Sequence, residues 1–147
     1  MDAYPHQIDY DWLAVDRLGQ AAVFWTAGEG PLPVDTLLEQ TLNEDAITKI
    51  RALAPNGDGE VLVSLPDPSD VLLFVCRGLF VYDWTDVHRS ERRTNQYELI
   101  GVPSAPTTYE IIAAIVGGPF QPVILPVDSF AGVAQLDVVS LVRCLRP

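Results

Sequence analysis

The densest group of chemically active side chains runs from Asp83 to Arg89. Two carboxylates, an imidazole, a guanidinium and an indole lie within these seven residues. A hydrolase could use Asp86 or His88 as a general base. However, the sequence contains no Gly-x-Ser-x-Gly turn that would present a nucleophile. Charges at a strand end also pair with one another, so the stretch favours structure or partner binding, with a small hydrolase as the alternative.

Two other patterns approach cofactor sites and fall short of them. Gly28-Glu29-Gly30 stands where a phosphate loop would, but the third glycine is missing and Glu29 would repel phosphate. Asn56, Asp58 and Glu60 have the alternate spacing of a calcium loop, but Val61 occupies the position that needs glycine. Both patterns are typical of turns, and we predict neither a cofactor nor a metal.

The charge of the chain limits its partners. Twenty acidic residues against nine basic ones give a net charge of −11, and residues 1–50 alone hold nine acids and two bases. A field of this sign repels nucleic acid and anionic membranes and attracts basic proteins. We therefore expect a basic protein partner. Acidity that serves only solubility, in a general interaction or regulatory domain, remains the alternative.

The cysteines and the N-terminus predict a cytoplasmic protein. Cys76 lies in an apolar run and Cys144 is far from it in sequence, which favours two free thiols over a disulfide framework. The first residues lack the basic and apolar regions of a signal peptide. No apolar run approaches the roughly 20 residues that a membrane helix needs.

Apolar spacing predicts an α+β fold in a single domain over residues 1–147, with a largely antiparallel β-sheet and helices packed on one face. Alternation predicts two antiparallel hairpins. One hairpin joins strands at 10–15 and 20–26, and the other joins strands at 79–84 and 96–102.

Capping patterns predict where the helices begin. Pro33 can open a first helix, and Asn43 is suited to the N-cap of a second. Asp67 is followed by proline, which is typical of a helix start, and Thr107 opens a capping box. The segment from Ser129 onward suits a strand or a helix about equally.

Carboxylates adjoin tryptophan at two places in the predicted strands, Asp11-Trp12 and Asp83-Trp84. Core packing is the first explanation for each indole, but an anchor in a charged interface has the same pattern. If the strands that carry them were neighbours, the carboxylates could form one acidic patch. The predicted partner-binding residues are Asp9, Asp11, Trp12, Asp16, Glu29, Asp83, Trp84, Asp86 and His88.

Two stretches, DYDWLAVD at residues 9–16 and RGLFVYDWTDVHR at residues 77–89, carry a resemblance. Together with its size and charge, they make the chain similar to the small acidic immunity proteins of bacterial polymorphic toxin and contact-dependent growth inhibition systems. The resemblance implies a cytoplasmic inhibitor that binds the toxic C-terminal domain of a cognate toxin. Such toxins are often nucleases with basic substrate surfaces. An acidic inhibitor would block such a surface by mimicking nucleic acid.

Overall fold

The computed structural model describes Tyr4 and residues 10–38, 40–84, 96–116 and 121–146. Within these residues, runs of bulky apolar residues form strands, and segments with helical apolar spacing form helices. The strands are β1 Asp11–Val15, β2 Ala21–Trp25, β3 Leu32–Pro33, β4 Gly59–Val61, β5 Phe80–Trp84, β6 Tyr97–Pro103, β7 Val123–Ile124, β8 Gln135–Leu136 and β9 Cys144–Leu145. The α-helices are α1 Val34–Leu38, α2 Gln40–Arg51, α3 Ser69–Val75 and α4 Tyr109–Val116.

Seven of these strands form one mixed, mostly antiparallel sheet. Its order is β4-β6-β5-β2-β1-β7, and β8 pairs with the start of β6. The predicted hairpins β1–β2 and β5–β6 are both present and antiparallel, and they join side by side through parallel pairing of β2 with β5. The strands that carry Asp11 and Asp83 are therefore not neighbours, because β2 lies between β1 and β5. The α+β prediction is confirmed.

The sheet has a helix face and an aromatic face, because successive strand residues point to opposite sides. The helix face packs against α2, α3 and α4, which confirms the prediction that helices cover one face. Its buried residues include Leu13, Val23, Val81 and Ile100 from the sheet and Ile50, Phe74, Val75 and Ile112 from the helices.

The aromatic face carries a stack of rings across three adjacent strands. Trp12 stacks on Phe24 with ring centroids 4.1 Å apart, and Phe24 stacks on Tyr82 at 4.8 Å. Tyr97 meets Phe24 edge-on at 5.2 Å. Stacked and edge-on pairs contribute about 0.5–1.5 kcal/mol each beyond the area they bury. This face therefore forms a second hydrophobic core.

The segment after Ser129, which the sequence left undecided, covers the aromatic face. It consists of two 3-10 helices, at Phe130–Gly132 and Val138–Ser140, and the short strands β8 and β9. Phe130 packs against the ring stack, and the Tyr82 hydroxyl donates to the Val133 carbonyl oxygen at 2.7 Å. The sheet is thus enclosed between helices and an irregular C-terminal layer.

The predicted N-cap role of Asn43 is wrong. Asn43 lies inside α2, and its side chain is 2% exposed against β1. Its Nδ2 donates to the Asp11 carbonyl oxygen at 2.7 Å, and its Oδ1 accepts from the Leu13 amide at 3.1 Å. A buried amide that satisfies two backbone groups fastens α2 to β1 at a fixed register.

Other local predictions have clear outcomes. The third helix begins at Ser69, and the Asp67 carboxylate accepts from the Ser69 amide at 3.0 Å. Hydrogen bonds from Ser69 hold the pKa of Asp67 below its usual value.

Cys76 and Cys144 are both free, as predicted, and burial raises the pKa of the Cys144 thiol to about 11.

Candidate protein-binding site

Three carboxylates and an indole share one row across the sheet. Asp11 of β1 is in register with Trp25 of β2, Trp25 with Asp83 of β5, and Asp83 with Glu98 of β6. Residues in register on adjacent strands project from the same face, and neighbouring strands lie about 4.8 Å apart. We call these four residues the strand-end row.

The strand-end row lies on the helix face, beyond the packed core. Trp25 packs against that core, with its ring 6.2 Å from the ring of Phe74 in α3. All four side chains of the row are only partly buried. Trp25 therefore combines an anchored inner edge with an accessible outer surface, flanked on either side by Asp11 and Asp83.

The charges of the row all have the same sign. Asp83 lies directly opposite Glu98, a position in which like charges disfavour strand pairing. A lysine or arginine of a partner could pair with carboxylates of the row and stack on the Trp25 ring.

The backbone beneath Asp11 is held rigidly. The Asn43 side chain bonds to the Asp11 carbonyl oxygen and to the Leu13 amide. At the other side of Trp25, the Thr26 amide donates to the Tyr10 carbonyl oxygen at 3.1 Å. These bonds fix the end of the β1–β2 hairpin, so the positions of Asp11 and Trp25 in the row are preorganised.

Glu29 is exposed on the turn that follows β2, at the same end of the sheet as the row. The neighbouring Gly30 lies under Tyr97, where an added Cβ would come within 2.6 Å of the hydroxyl oxygen. Gly28 has a φ of 79°, which favours glycine. Gly28-Glu29-Gly30 is thus a turn whose glycines serve backbone geometry and close packing.

Trp12 and Trp84 lie on the aromatic face, away from the row. Trp12 has no exposed surface, and Trp84 is 7% exposed with its ring 5.2 Å from Tyr97. A side chain enclosed in this way offers no surface to a partner, so we leave both out of the candidate site. Trp25, which was not among the predicted partner-binding residues, is the tryptophan that lies beside carboxylates with part of its surface exposed.

Asp16 lies at the opposite end of β1 and is 2% exposed. Its carboxylate accepts from the Leu18 amide at 3.0 Å, from the backbone and side-chain nitrogens of Gln20, and from the Phe130 amide at 2.9 Å. These bonds give Asp16 a structural role, joining the β1–β2 turn to the C-terminal layer. We therefore leave it out of the candidate site as well.

Asp9, Asp86 and His88 lie outside the described residues. Glu98 was missed, because only the β5–β6 register shows that it lies beside Asp83. Trp25 was missed for a similar reason. The uninterrupted apolar run of β2 does not reveal which of its side chains project beyond the helices.

One cavity, of about 700 Å³, opens between the β1–β2 turn, the start of α4 and β7. The described residues that line it include no serine, cysteine or histidine, and it is remote from the row. In the described part of the chain, no cluster of three potential metal ligands occurs. We place no catalytic proposal on these features.

Comparisons with protein-family models, curated proteins and solved structures found no match to this chain. None of the helices in the described ranges has both the length and the apolar character needed to cross a membrane. The function is therefore inferred from the residues and geometry of the site itself.

Proposed function

We propose that this protein binds and neutralises a basic protein in the bacterial cytoplasm, namely the toxic domain of a cognate contact-dependent or related polymorphic toxin. The observation that carries the proposal is the strand-end row, in which Asp11 and Asp83 flank the partly exposed ring of Trp25 and Glu98 lies beyond Asp83. The resemblance to immunity proteins supports the same class of partner.

The row has the composition of an interface centre. Tryptophan is among the residues that contribute most to binding when it fills a pocket in a partner. Carboxylates beside it would pair with lysine or arginine, and the Trp25 ring would accept a cation on its face. The exposed Glu29 lies at the same sheet end and extends the negative field.

The net charge of −11 adds a kinetic advantage. A basic toxin would be steered toward this molecule, and steering raises association rates most at low salt. A nuclease toxin fits well, because its substrate surface must attract a polyanion. The inhibitor would then occupy that surface by presenting carboxylates where nucleic acid presents phosphates.

Co-expression with the product of the adjacent gene, followed by co-purification, tests the proposal. If a toxin domain is captured, Asp11→Asn and Asp83→Asn should each slow its association and flatten the salt dependence of the association rate. Glu110→Gln is the matched control, since Glu110 is exposed on α4 near the other end of the β1–β2 hairpin.

Two results would contradict the proposal. The first is that no basic product of a neighbouring gene co-purifies with this protein, which would leave the proposal without a partner. The second is that the Asp11 and Asp83 variants bind the toxin domain as well as the unmodified protein at every salt concentration, which would show that the strand-end row is not the binding site.

A further inference from the structure

The outer edge of β4 lies apart from the strand-end row. In the described part of the chain, β4 pairs only with β6. The Ser104 amide donates to the Asp58 carbonyl oxygen at 2.9 Å, and the Leu62 amide donates to the Ile100 carbonyl oxygen at 2.8 Å. Alternate residues of an antiparallel strand bond to the same neighbour. The N–H and C=O groups of Gly59 and Val61, between those bonded residues, therefore point away from β6.

The side chains along β4 divide between the two faces. Gly59 faces α3, because an added Cβ would come within 2.4 Å of Val75, and Val61 packs on the same helix-face core. Glu60 and Leu62 must then project from the opposite face, and both are exposed, Leu62 at 45%. The edge therefore presents apolar and acidic side chains on one side and valine on the other.

Helix α3 supplies a further apolar side chain above this edge. Phe74 points toward the sheet centre, where its ring lies 6.2 Å from Trp25. Leu72 precedes Phe74 by two residues, which is roughly 200° around a helix. α3 packs on β4 through Val75, and Leu72, at 38% exposure, lies on the side of α3 away from Phe74 and the sheet centre. We call Leu72 with residues 59–62 the β4 edge.

The charge around the β4 edge selects the kind of chain that could pair with it. Residues 52–75 contain four carboxylates, Asp58, Glu60, Asp67 and Asp70, and no lysine or arginine, and the flanking Arg51 already pairs with Asp70 at 3.6 Å. A second copy of this protein would bring the same carboxylates together, and like charges across a strand pair are unfavourable. A basic strand would meet opposite charge instead.

We infer that the β4 edge binds an extended basic segment of a partner protein as an added strand. The partner backbone would bond to Gly59 and Val61, its basic side chains would lie beside Glu60, and its apolar ones beside Val61 and Leu72. This inference rests on the proposed function in one respect only, namely that the partner is a basic protein. It adds a second contact region, on the opposite edge of the sheet from β7.

A synthetic peptide in which valine and lysine alternate is the probe. We expect it to shift the backbone amide resonances of Gly59 and Val61 on titration. A peptide with alternate backbone nitrogens methylated, and one with glutamate in place of lysine, should bind at least about tenfold more weakly, because each loses hydrogen bonds or charge complementarity.

Two variants separate edge binding from general folding effects. Val61→Pro removes an outward N–H without breaking a bond to β6, and proline is tolerated on edge strands. It should reduce peptide affinity by about tenfold. Glu60→Lys should weaken the lysine peptide and strengthen the glutamate peptide, an exchange of preference that a folding defect cannot produce.

The inference is overturned if the resonances of Gly59 and Val61 do not move, or if all three peptides bind equally. It is also overturned if the protein alone forms a dimer that Val61→Pro dissociates, since a second copy would then occupy the edge. Because no toxin enters these titrations, their failure leaves the co-purification test of the proposed function unaffected.

Discussion

At the scale of single residues, Asp16 shows how a buried carboxylate can be structural. Its carboxylate accepts backbone hydrogen bonds from the β1–β2 turn and from the amide of Phe130, which lies 114 residues further along the chain. Hydrogen bonds to a charged acceptor are stronger than neutral ones, and a buried donor left unpaired is costly. The sequence shows Asp16 only as one of many acidic residues, next to a turn, so its long-range hydrogen bond to Phe130 could not be predicted.

Asp16→Asn should lower the free energy of unfolding by roughly 2–4 kcal/mol, because the amide replaces one acceptor oxygen by a donor that faces N–H groups. Asp128→Asn is the control. It breaks the exposed Arg17–Asp128 ion pair, for which at most about 1 kcal/mol is expected. Denaturant unfolding monitored by tryptophan fluorescence measures both, and equal effects would contradict the structural role of Asp16.

The strand-end row could be predicted only in part. Asp11 and Asp83 were identified because carboxylates beside tryptophan in a predicted strand are conspicuous. Trp25 and Glu98 were not, since their place depends on parallel pairing of β2 with β5 and on the β5–β6 register. A sequence shows which residues alternate within a strand, but it does not show which strand lies next to which.

At the scale of elements, the hairpins and most helices were predictable because each depends on local spacing. Period-two alternation and nearby turn residues define a hairpin within about 15 to 25 residues of chain. The layer after Ser129 was not predictable. Its strands are two residues long and its 3-10 helices three, too short to show a period, and packing on the aromatic face determines their form.

The join between α2 and β1 gives a prediction at this scale. Asn43→Ala should lower the free energy of unfolding by about 2–4 kcal/mol, because the Asp11 carbonyl oxygen and the Leu13 amide lose a buried partner. Gln40→Ala, at an exposed site near the start of α2, should change it by less than about 0.5 kcal/mol. A similar, small effect of both substitutions would refute the anchoring role.

At the scale of the whole molecule, two hydrophobic cores lie on either side of one sheet, and tyrosines are buried in the aromatic one. Burial raises the pKa of Tyr10 to about 12, with a further contribution from Glu44. Burial also raises the pKa of Tyr82 and, well above its ordinary value, that of Tyr97. The folded state therefore holds these phenols neutral.

The sign of the pH dependence follows from this. A folded pKa above the unfolded value of about 10 gives stability that is complete below pH 10 and is lost as pH rises toward about 12. Unfolding free energy should thus fall across that interval, together with the appearance of tyrosinate absorbance. Tyr82→Phe should reduce the slope, and a constant stability between these pH values would contradict the prediction.

The C-terminal layer also has a consequence for the order of events during synthesis. The ring stack of β1, β2 and β5 is complete once β6 has been made, but its cover begins near Phe130. At about 5–20 residues per second, the roughly 30 intervening residues take on the order of 2–6 s to add. Once α4 has also been added, the nascent chain would carry a sheet whose helix face is covered and whose broad aromatic surface is still open to chaperones.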